Sequence, residues 1–156
     1  MISSEDIDLI VYDFDGVMTN NTALIFQDGT EAVIVNRSDG LGVSSIRGLN
    51  IPQIIISTEA NPVVQARANK LKIDSYQNCY DKASLLAKIC NNKGYNLSRT
   101  IFVGNDTNDL KAMKIVGYPI SPSDGHSDVQ AIASYVLESK GGEGVVKEIF
   151  EKLIKK

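Results

Sequence analysis

The chain has 156 residues, 43% of them hydrophobic and 22% charged, and its 16 Lys and Arg against 19 Asp and Glu give a net charge of −3. This arithmetic predicts one globular domain over residues 1–156 and excludes a disordered or collagen-like chain. The acidic balance argues against a nucleic-acid partner, and no apolar run approaches the about 20 residues that a membrane span needs. Two cysteines and an acidic N-terminus predict a cytoplasmic protein with reduced thiols.

The first half of the chain predicts a buried strand, then a hairpin, and then a helix, a strand and a second helix. Asp28-Gly29 separates the two hairpin strands, since both turn residues accept a positive φ. Asn61 and Pro62 mark the start of a helix, as N-cap and first helical residue. In chain order the predicted elements are strand 7–12, strands 22–27 and 30–36, helix 39–49, strand 53–56 and helix 63–71.

The second half continues the alternation of strands and helices. Asp81 is predicted to cap a helix that ends near Gly94. The predicted elements are strand 73–77, helix 82–93, strand 100–103, helix 110–116, strand 118–120 and helix 144–154. Strands that alternate with helices predict an α/β fold, a Rossmann-like and mainly parallel sheet with one inserted β-hairpin.

Polar residues follow three of the predicted strands. Asp13 and Asp15 follow the first, Ser57 and Thr58 a second, and an acidic loop that includes Asn105, Asp106 and Asp109 a third. In open α/β sheets ligand sites form beyond the carboxyl ends of the strands, so these side chains are expected in one crevice. Lys82, at a predicted helix start, would add a cation to them.

The spacing of Asp13 and Asp15 points to a metal and to phosphate chemistry. Two carboxylates held this close both stay ionised only beside a cation, and Mg²⁺ prefers such oxygen ligands. One carboxylate would attack phosphorus to give an aspartyl-phosphate, and the other would act as general acid and base. Ser57 and Lys82 would hold the phosphoryl group. Taken alone, Asp-x-Asp-Gly also occurs in structural loops and at the start of calcium sites, but residues 17–26 lack the further ligands of a calcium loop.

These residues resemble the four motifs of the haloacid dehalogenase (HAD) superfamily of phosphatases. The matching residues, in order, are the segment from Asp13 to Thr19, Ser57, Lys82 and the loop from Gly104 to Asp109. The resemblance implies that Asp13 is the nucleophile and a metal ligand, and that Asp15 is the acid and base with its main-chain carbonyl on Mg²⁺. It implies that Asn105 and Asp106 complete the metal ligands, that Asp109 orients the acidic loop, and that Thr19 orders the loop that follows Asp13.

A narrower resemblance covers nearly the whole chain. The early hairpin, residues 36–40 and residues 140–144 look like the capless branch, which has no cap domain. This branch includes 3-deoxy-octulosonate 8-phosphate and nonulosonate 9-phosphate phosphatases and a domain fused to some acylneuraminate cytidylyltransferases. It implies a homotetramer built through the hairpin, in which a neighbour helps close each site. It further implies a phosphosugar substrate bound by Ser57, Thr58, Glu59, Arg67 and Lys70, although the last three also fit a solvated helix face.

Two departures from the family pattern affect the expected function. Asn105 stands where the family usually has an Asp ligand, so Mg²⁺ is expected to bind less tightly. Thr58 stands where a Gly is common and is expected to stiffen that turn. The leading hypothesis is a Mg²⁺-dependent phosphatase of an acidic 8- or 9-carbon keto-sugar phosphate. The alternatives are a weakly active or non-catalytic assembly domain that accompanies a cytidylyltransferase, and a phospho-accepting receiver domain, which the inserted hairpin and the late acidic loop argue against.

Overall fold

The computed structural model describes residues 1–155, which form an open parallel sheet with helices on both faces. The six main strands lie in the order β6-β5-β2-β7-β8-β9, and all neighbouring pairs are parallel. In chain order these strands are β2 (Leu9–Tyr12), β5 (Gln53–Ile56), β6 (Asp74–Tyr76), β7 (Thr100–Val103), β8 (Tyr118–Ser121) and β9 (Tyr135–Val136). The predicted α/β fold is therefore confirmed.

Four short strands lie outside this sheet. β3 (Leu24–Ile25) and β4 (Glu31–Ala32) form the antiparallel hairpin around Asp28-Gly29. It is much shorter than the predicted strands, because both of its strands are exposed and no second layer packs on them. β1 (Ile2–Ser3) and β10 (Ile154–Lys155) form a parallel pair that the sequence did not predict.

The helices pack on both faces of the sheet. The side chains of each strand alternate between the faces, and apolar side chains on both faces need to be covered. Ile10 and Tyr12 of β2 pack on one face, whereas Leu9 and Val11 pack on the other. The first face carries α1 (Arg37–Arg47), α2 (Val63–Leu71) and α6 (Val145–Glu148), and the second carries α3 (Lys82–Lys93), α4 (Leu110–Met113) and α5 (Ser127–Ile132). No helix within residues 1–155 has the length and apolar character to cross a bilayer.

Several local predictions agree with the structure and others differ. Asp81 caps α3 by accepting from the Ser84 N–H, and Gly94 ends it with a φ of 74°. Asn61 accepts from the Val63 N–H at 3.0 Å, and α2 spans Val63–Leu71 as predicted, although Pro62 takes the N-cap position that was predicted for Asn61. The predicted helix 110–116 ends at Met113, and the predicted helix 144–154 is α-helical only to Glu148, followed by a π-helical turn over Ile149–Leu153. α5 and β9 were not predicted.

Candidate active site

Asp13 lies at the carboxyl end of the central strand. It directly follows β2, and its backbone N–H donates to the Val103 carbonyl at 2.9 Å, which ties it to the end of β7. Since β2 lies between β5 and β7, the residues that follow these three strands meet at one edge of the sheet. The structure therefore places Asp13, Ser57 and Asn105 at that edge, as the sequence predicts.

Lys82 joins two carboxylates at the centre of the site. Its Nζ donates to Asp13 Oδ1 and to Asp109 Oδ1, each at 2.7 Å, and all three side chains are buried. One ammonium group balances only one of two ionised carboxylates, so the cluster has an excess negative charge that a proton or a second cation can neutralise. Burial and the Asp109 charge raise the pKa of Asp13 to about 7, against the opposing effect of Lys82. The two carboxylates in turn raise the pKa of Lys82 despite its burial. The cluster therefore favours a further cation.

The Asn105 amide faces two acceptors beside this cluster. Turned with its nitrogen toward them, it donates to the main-chain oxygen of Asp15 at 2.9 Å and to Asp13 Oδ2 at 3.0 Å. Turned with its oxygen toward them, the amide adds a third oxygen, which lies about 3 Å from the Asp15 main-chain oxygen and from Asp13 Oδ2. Neighbouring ligands around an octahedral ion with bonds of about 2.1 Å lie about 3 Å apart, so the set fits Mg²⁺.

The three oxygens include only one side-chain carboxylate. Within residues 1–155, no three His, Cys, Asp or Glu side chains form a group that would hold a metal by themselves. Mg²⁺ commonly binds through one or two carboxylates together with substrate phosphate and water. The donor set therefore fits a divalent cation that is completed by the substrate, and it lacks the charge for a tight site without it.

Gly16 gives Asn105 the space to approach Asp13. Its φ is +82°, a conformation that favours glycine. A Cβ at this position would lie 2.0 Å from Asn105 Nδ2, so any side chain here would displace the amide. The glycine of the Asp-x-Asp-Gly motif is thus required both by the turn and by the close approach of the Asn105 amide.

Asp15 lies at the mouth of the site and is only half-buried. The Thr19 hydroxyl donates to Asp15 Oδ1 at 3.4 Å and accepts from the Gly16 N–H at 3.2 Å, so Thr19 orders the loop, as predicted. Burial and the nearby Glu59 carboxylate raise the pKa of Asp15. A carboxyl group that holds its proton more firmly than usual suits a general acid.

Ser57 and Glu59 lie close to the mouth of the site, in the turn after β5. Ser57 is buried, and its Oγ accepts from the Glu59 N–H at 3.1 Å. Glu59 lines a cavity of about 230 Å³ together with Asp15. Thr58, between them, is half-buried. The structure thus brings the second-motif residues to the mouth where a substrate would enter.

Arg67 and Lys70 lie elsewhere in the same subunit. They line a separate groove of about 410 Å³ between α1 and α2, with Arg37, Arg47 and Lys72. Arg67 donates to the Asn36 carbonyl at 2.9 Å, and this groove shares no lining residue with the cavity beside Asp15. Within one chain, the structure does not bring these two predicted substrate contacts to Asp15.

In the acidic loop the buried carboxylate is that of Asp109, and not that of Asp106, which the sequence predicts as a metal ligand. Asp106 is exposed, and its carboxylate accepts from the Thr107 N–H, whereas Asp109 is fully buried against Lys82. Asp109 Oδ2 also accepts from the backbone N–H groups of Asn105 and Asp106, at 3.0 and 3.3 Å. Asp109 therefore orients the loop, as predicted, and its three-residue spacing from Asp106 is typical of a helix cap.

Comparisons with known proteins agree with this geometry. A family profile described as haloacid dehalogenase-like hydrolase matches residues 50–149. The 3-deoxy-D-manno-octulosonate 8-phosphate phosphatase of Yersinia pestis is 28% identical over 150 residues, which cover 96% of this chain and 80% of the relative.

Two solved structures share the fold. A HAD family hydrolase from Streptomyces avermitilis superposes with a TM-score of 0.93 at 42% identity, covering 96% of this chain and 86% of the other. The second is a 3-deoxy-D-manno-octulosonate 8-phosphate phosphatase from Moraxella catarrhalis, in complex with magnesium, phosphate and the sugar KDO (3-deoxy-D-manno-octulosonate). It superposes with a TM-score of 0.91 at 30% identity, covering 95% of this chain and 86% of the other. The chain therefore belongs to the haloacid dehalogenase-like hydrolase family, in the capless branch that contains these octulosonate phosphatases.

Proposed function

We propose that the chain is a Mg²⁺-dependent phosphomonoesterase that hydrolyses 3-deoxy-octulosonate 8-phosphate. The observation that carries this proposal is the buried Asp13–Lys82–Asp109 cluster, with an excess negative charge beside the oxygens of Asp15 and Asn105. The names of the relatives from Yersinia pestis and Moraxella catarrhalis support the octulosonate ester as substrate. Residues 1–156 would act as one domain.

The proposed reaction uses two carboxyl groups in turn. An oxygen of Asp13 forms a bond to phosphorus as the ester P–O bond breaks, and Asp15 gives its proton to the leaving alkoxide. Asp15 then takes a proton from water, the water oxygen attacks phosphorus, and the bond from Asp13 to phosphorus breaks. Lys82 and the Ser57 hydroxyl hold the phosphoryl oxygens throughout.

Asp13, the main-chain oxygen of Asp15 and Asn105 would hold Mg²⁺, with Asp106 as a further predicted ligand at the exposed edge. Mg²⁺, when bound, offsets the negative charge of the phosphoryl oxygens. Thr58 and Glu59 would contact the sugar near Asp15. Arg67 and Lys70 would contact a sugar bound in a neighbouring subunit of a homotetramer, since they lie away from Asp15 in their own subunit.

Phosphate release by the purified chain tests the proposal. Octulosonate 8-phosphate, sialate 9-phosphate and p-nitrophenyl phosphate are each incubated with Mg²⁺, and with chelator as the control. We expect the highest kcat/KM with octulosonate 8-phosphate, no release with chelator and no release by Asp13→Asn. The absence of release with all three esters, by the unmodified chain and by Asn105→Asp alike, would contradict a phosphatase function. Preference for the nine-carbon ester would change only the substrate.

The two possible orientations of the Asn105 amide support a second candidate function. With its nitrogen turned toward Asp13 and Asp15, the amide would satisfy both acceptors without any cation. A domain of this kind would bind Mg²⁺ weakly and act as an assembly domain for an acylneuraminate cytidylyltransferase. Calorimetry with Mg²⁺ and co-purification with such an enzyme test this alternative, and measurable turnover would exclude a non-catalytic role.

A further inference from the structure

The cavity beside Asp15 has one wall that comes from the hairpin. It measures about 230 Å³, and Asn21, Thr22 and Glu31 of the hairpin region line it together with Glu59 and Asn61. This is smaller than the roughly 300–1,000 Å³ of sites that enclose a whole small molecule, so the cavity accommodates only part of a sugar phosphate. Because it adjoins Asp15, that part is the stretch of the sugar next to the phosphate.

The charges of this cavity have one sign. Asp15, Glu31 and Glu59 line it, and none of its lining residues in the described chain is Lys, Arg or His. A second anionic group would be repelled here, since like charges at short range in a partly buried site cost free energy.

The two glutamates are held in place by hydrogen bonds. Asn61 Nδ2 donates to Glu31 Oε2 at 3.0 Å, which links β4 to the segment before α2. Glu59 Oε1 accepts from the backbone N–H groups of Ala60 and Asn61 at 2.8 and 3.0 Å. Each carboxylate keeps a second oxygen, and an ionised carboxylate only accepts hydrogen bonds. The cavity therefore presents fixed acceptors and calls for donor groups.

We propose that Glu31 is a specificity-determining residue, which accepts a hydrogen bond from a hydroxyl group of the sugar and excludes a second anionic group from the cavity beside Asp15. This inference rests on the proposed phosphatase function. Glu31 would thereby select phosphate esters in which the carbons next to the ester carry hydroxyl groups. The carboxylate of an acidic sugar then points away from Asp15, toward the solvent or a neighbouring subunit.

Two substitutions at position 31 separate these two effects. Glu31→Ala removes both the acceptor and the charge, whereas Glu31→Gln removes the charge and keeps an acceptor oxygen. Glu151→Gln, on the exposed C-terminal turn, is the matched control. The kcat/KM of each variant is measured with octulosonate 8-phosphate, with p-nitrophenyl phosphate, and with 3-phosphoglycerate, a short ester whose carboxylate would have to enter the cavity.

We expect Glu31→Ala to lower kcat/KM for octulosonate 8-phosphate about tenfold more than for p-nitrophenyl phosphate, the value of one charge-assisted hydrogen bond. Glu31→Gln should raise kcat/KM for 3-phosphoglycerate several-fold relative to p-nitrophenyl phosphate. Unchanged ratios among the three esters in both variants would overturn the inference.

A binding measurement separates this inference from the proposed function. The Kd of octulosonate 8-phosphate is determined by calorimetry in an Asp13→Asn background, with and without Glu31→Ala. We expect a rise of about tenfold on adding Glu31→Ala. The result decides the role of Glu31 even if the unmodified chain releases no phosphate. An equal Kd in the two proteins, or binding in neither, contradicts the inference.

Discussion

Asn105 is the residue at which charge and metal affinity can be tested separately. It contributes a neutral amide next to Asp13 Oδ2 and the Asp15 carbonyl. A carboxylate there would add ligand charge, which strengthens the binding of a hard cation, and would repel Asp13 when no cation is bound. We predict that Asn105→Asp lowers the Tm in chelator but lowers the Kd for Mg²⁺ about tenfold.

Calorimetry and thermal unfolding, each with and without Mg²⁺, measure the two effects. Asn108→Asp is the matched control, because it adds the same charge to an exposed position of the same loop. Equal Mg²⁺ affinity in the Asn105→Asp variant and the unmodified chain would show that residue 105 does not reach the metal.

Lys82 is the cation on which the buried cluster depends. Its removal would leave Asp13 and Asp109 buried without a counter-charge. We predict that Lys82→Met lowers the free energy of unfolding by about 3–5 kcal/mol at neutral pH and abolishes phosphate release. The loss should shrink in acid, because the raised pKa of Asp13 lets a proton remove one of the two negative charges. Urea unfolding at pH 7 and pH 5 measures it, with Lys88→Met, exposed on the same helix, as the control. A similar loss at both pH values would exclude this electrostatic cause.

At the scale of elements, Asp39 joins α1 to α6. Its Oδ1 accepts from the Val146 N–H at 2.9 Å, while its buried Oδ2 has no hydrogen-bond partner. Burial raises the pKa of Asp39 to about 6, although the Val146 and Lys147 N–H groups oppose the shift. Between about pH 4 and 6 the folded chain thus keeps a proton that the unfolded chain has lost. The contribution of Asp39 to the free energy of unfolding therefore falls as the pH rises through this window.

We predict that Asp39→Asn removes this dependence. Relative to the unmodified chain, the variant should gain about 2–3 kcal/mol in free energy of unfolding between pH 4 and pH 7, the equivalent of the pKa shift. Urea unfolding across this range measures the difference, and Asp74→Asn, at an exposed position, controls for the loss of a charge. A constant difference between Asp39→Asn and the unmodified chain at all pH values would contradict the assignment.

The elements that sequence predicts well are those with strong local signals. β5 and β7 have the predicted bounds because each is a short apolar run that the sheet buries completely. α3 also has the predicted bounds, because Asp81 and Gly94 mark its two ends. α5 and β9 are short and weakly patterned, and their conformation depends on packing beside β8, which no local signal reports. The π-helical turn after Glu148 has no local signal either.

The site shows the same limit. The motifs predict Asp13, Ser57, Lys82 and Asn105 because each follows a strand or begins a helix. Glu31 and Asn61 lie 30 residues apart in sequence, and only the folded hairpin brings them to one cavity. The family resemblance predicts Arg67 and Lys70 as substrate contacts, yet α2 carries them to another groove of the same subunit. Residues brought together by tertiary packing therefore escape prediction from one sequence.

At the scale of the whole molecule, the hairpin presents the apolar side chains expected of an interface. Leu24, Ile25 and Ile34 are 62%, 68% and 76% exposed. A two-stranded hairpin is marginally stable by itself in water, and several exposed large apolar side chains on one such element indicate a contact site. We predict that the chain is a tetramer, and that Leu24→Glu combined with Ile25→Glu dissociates it and lowers kcat/KM.

Sedimentation velocity and phosphate release on the same samples measure both effects. Tyr80→Glu is the control, because it places the same charge on an apolar side chain that is exposed outside the hairpin. A fully active monomeric protein would contradict both the interface and the role of a neighbour in closing the site.

The bridge that Lys82 makes between two loops also constrains how the protein folds. Lys82 is 69 residues from Asp13 and 27 residues from Asp109 along the chain. Chain segments so distant must pay their loop-closure entropy before these contacts form. Partly folded chains without β7 in place therefore lack this cluster and the Asn105 amide beside it. If the site binds a cation as we propose, the cation would bind only the completed sheet and by mass action would draw folding intermediates toward the native state.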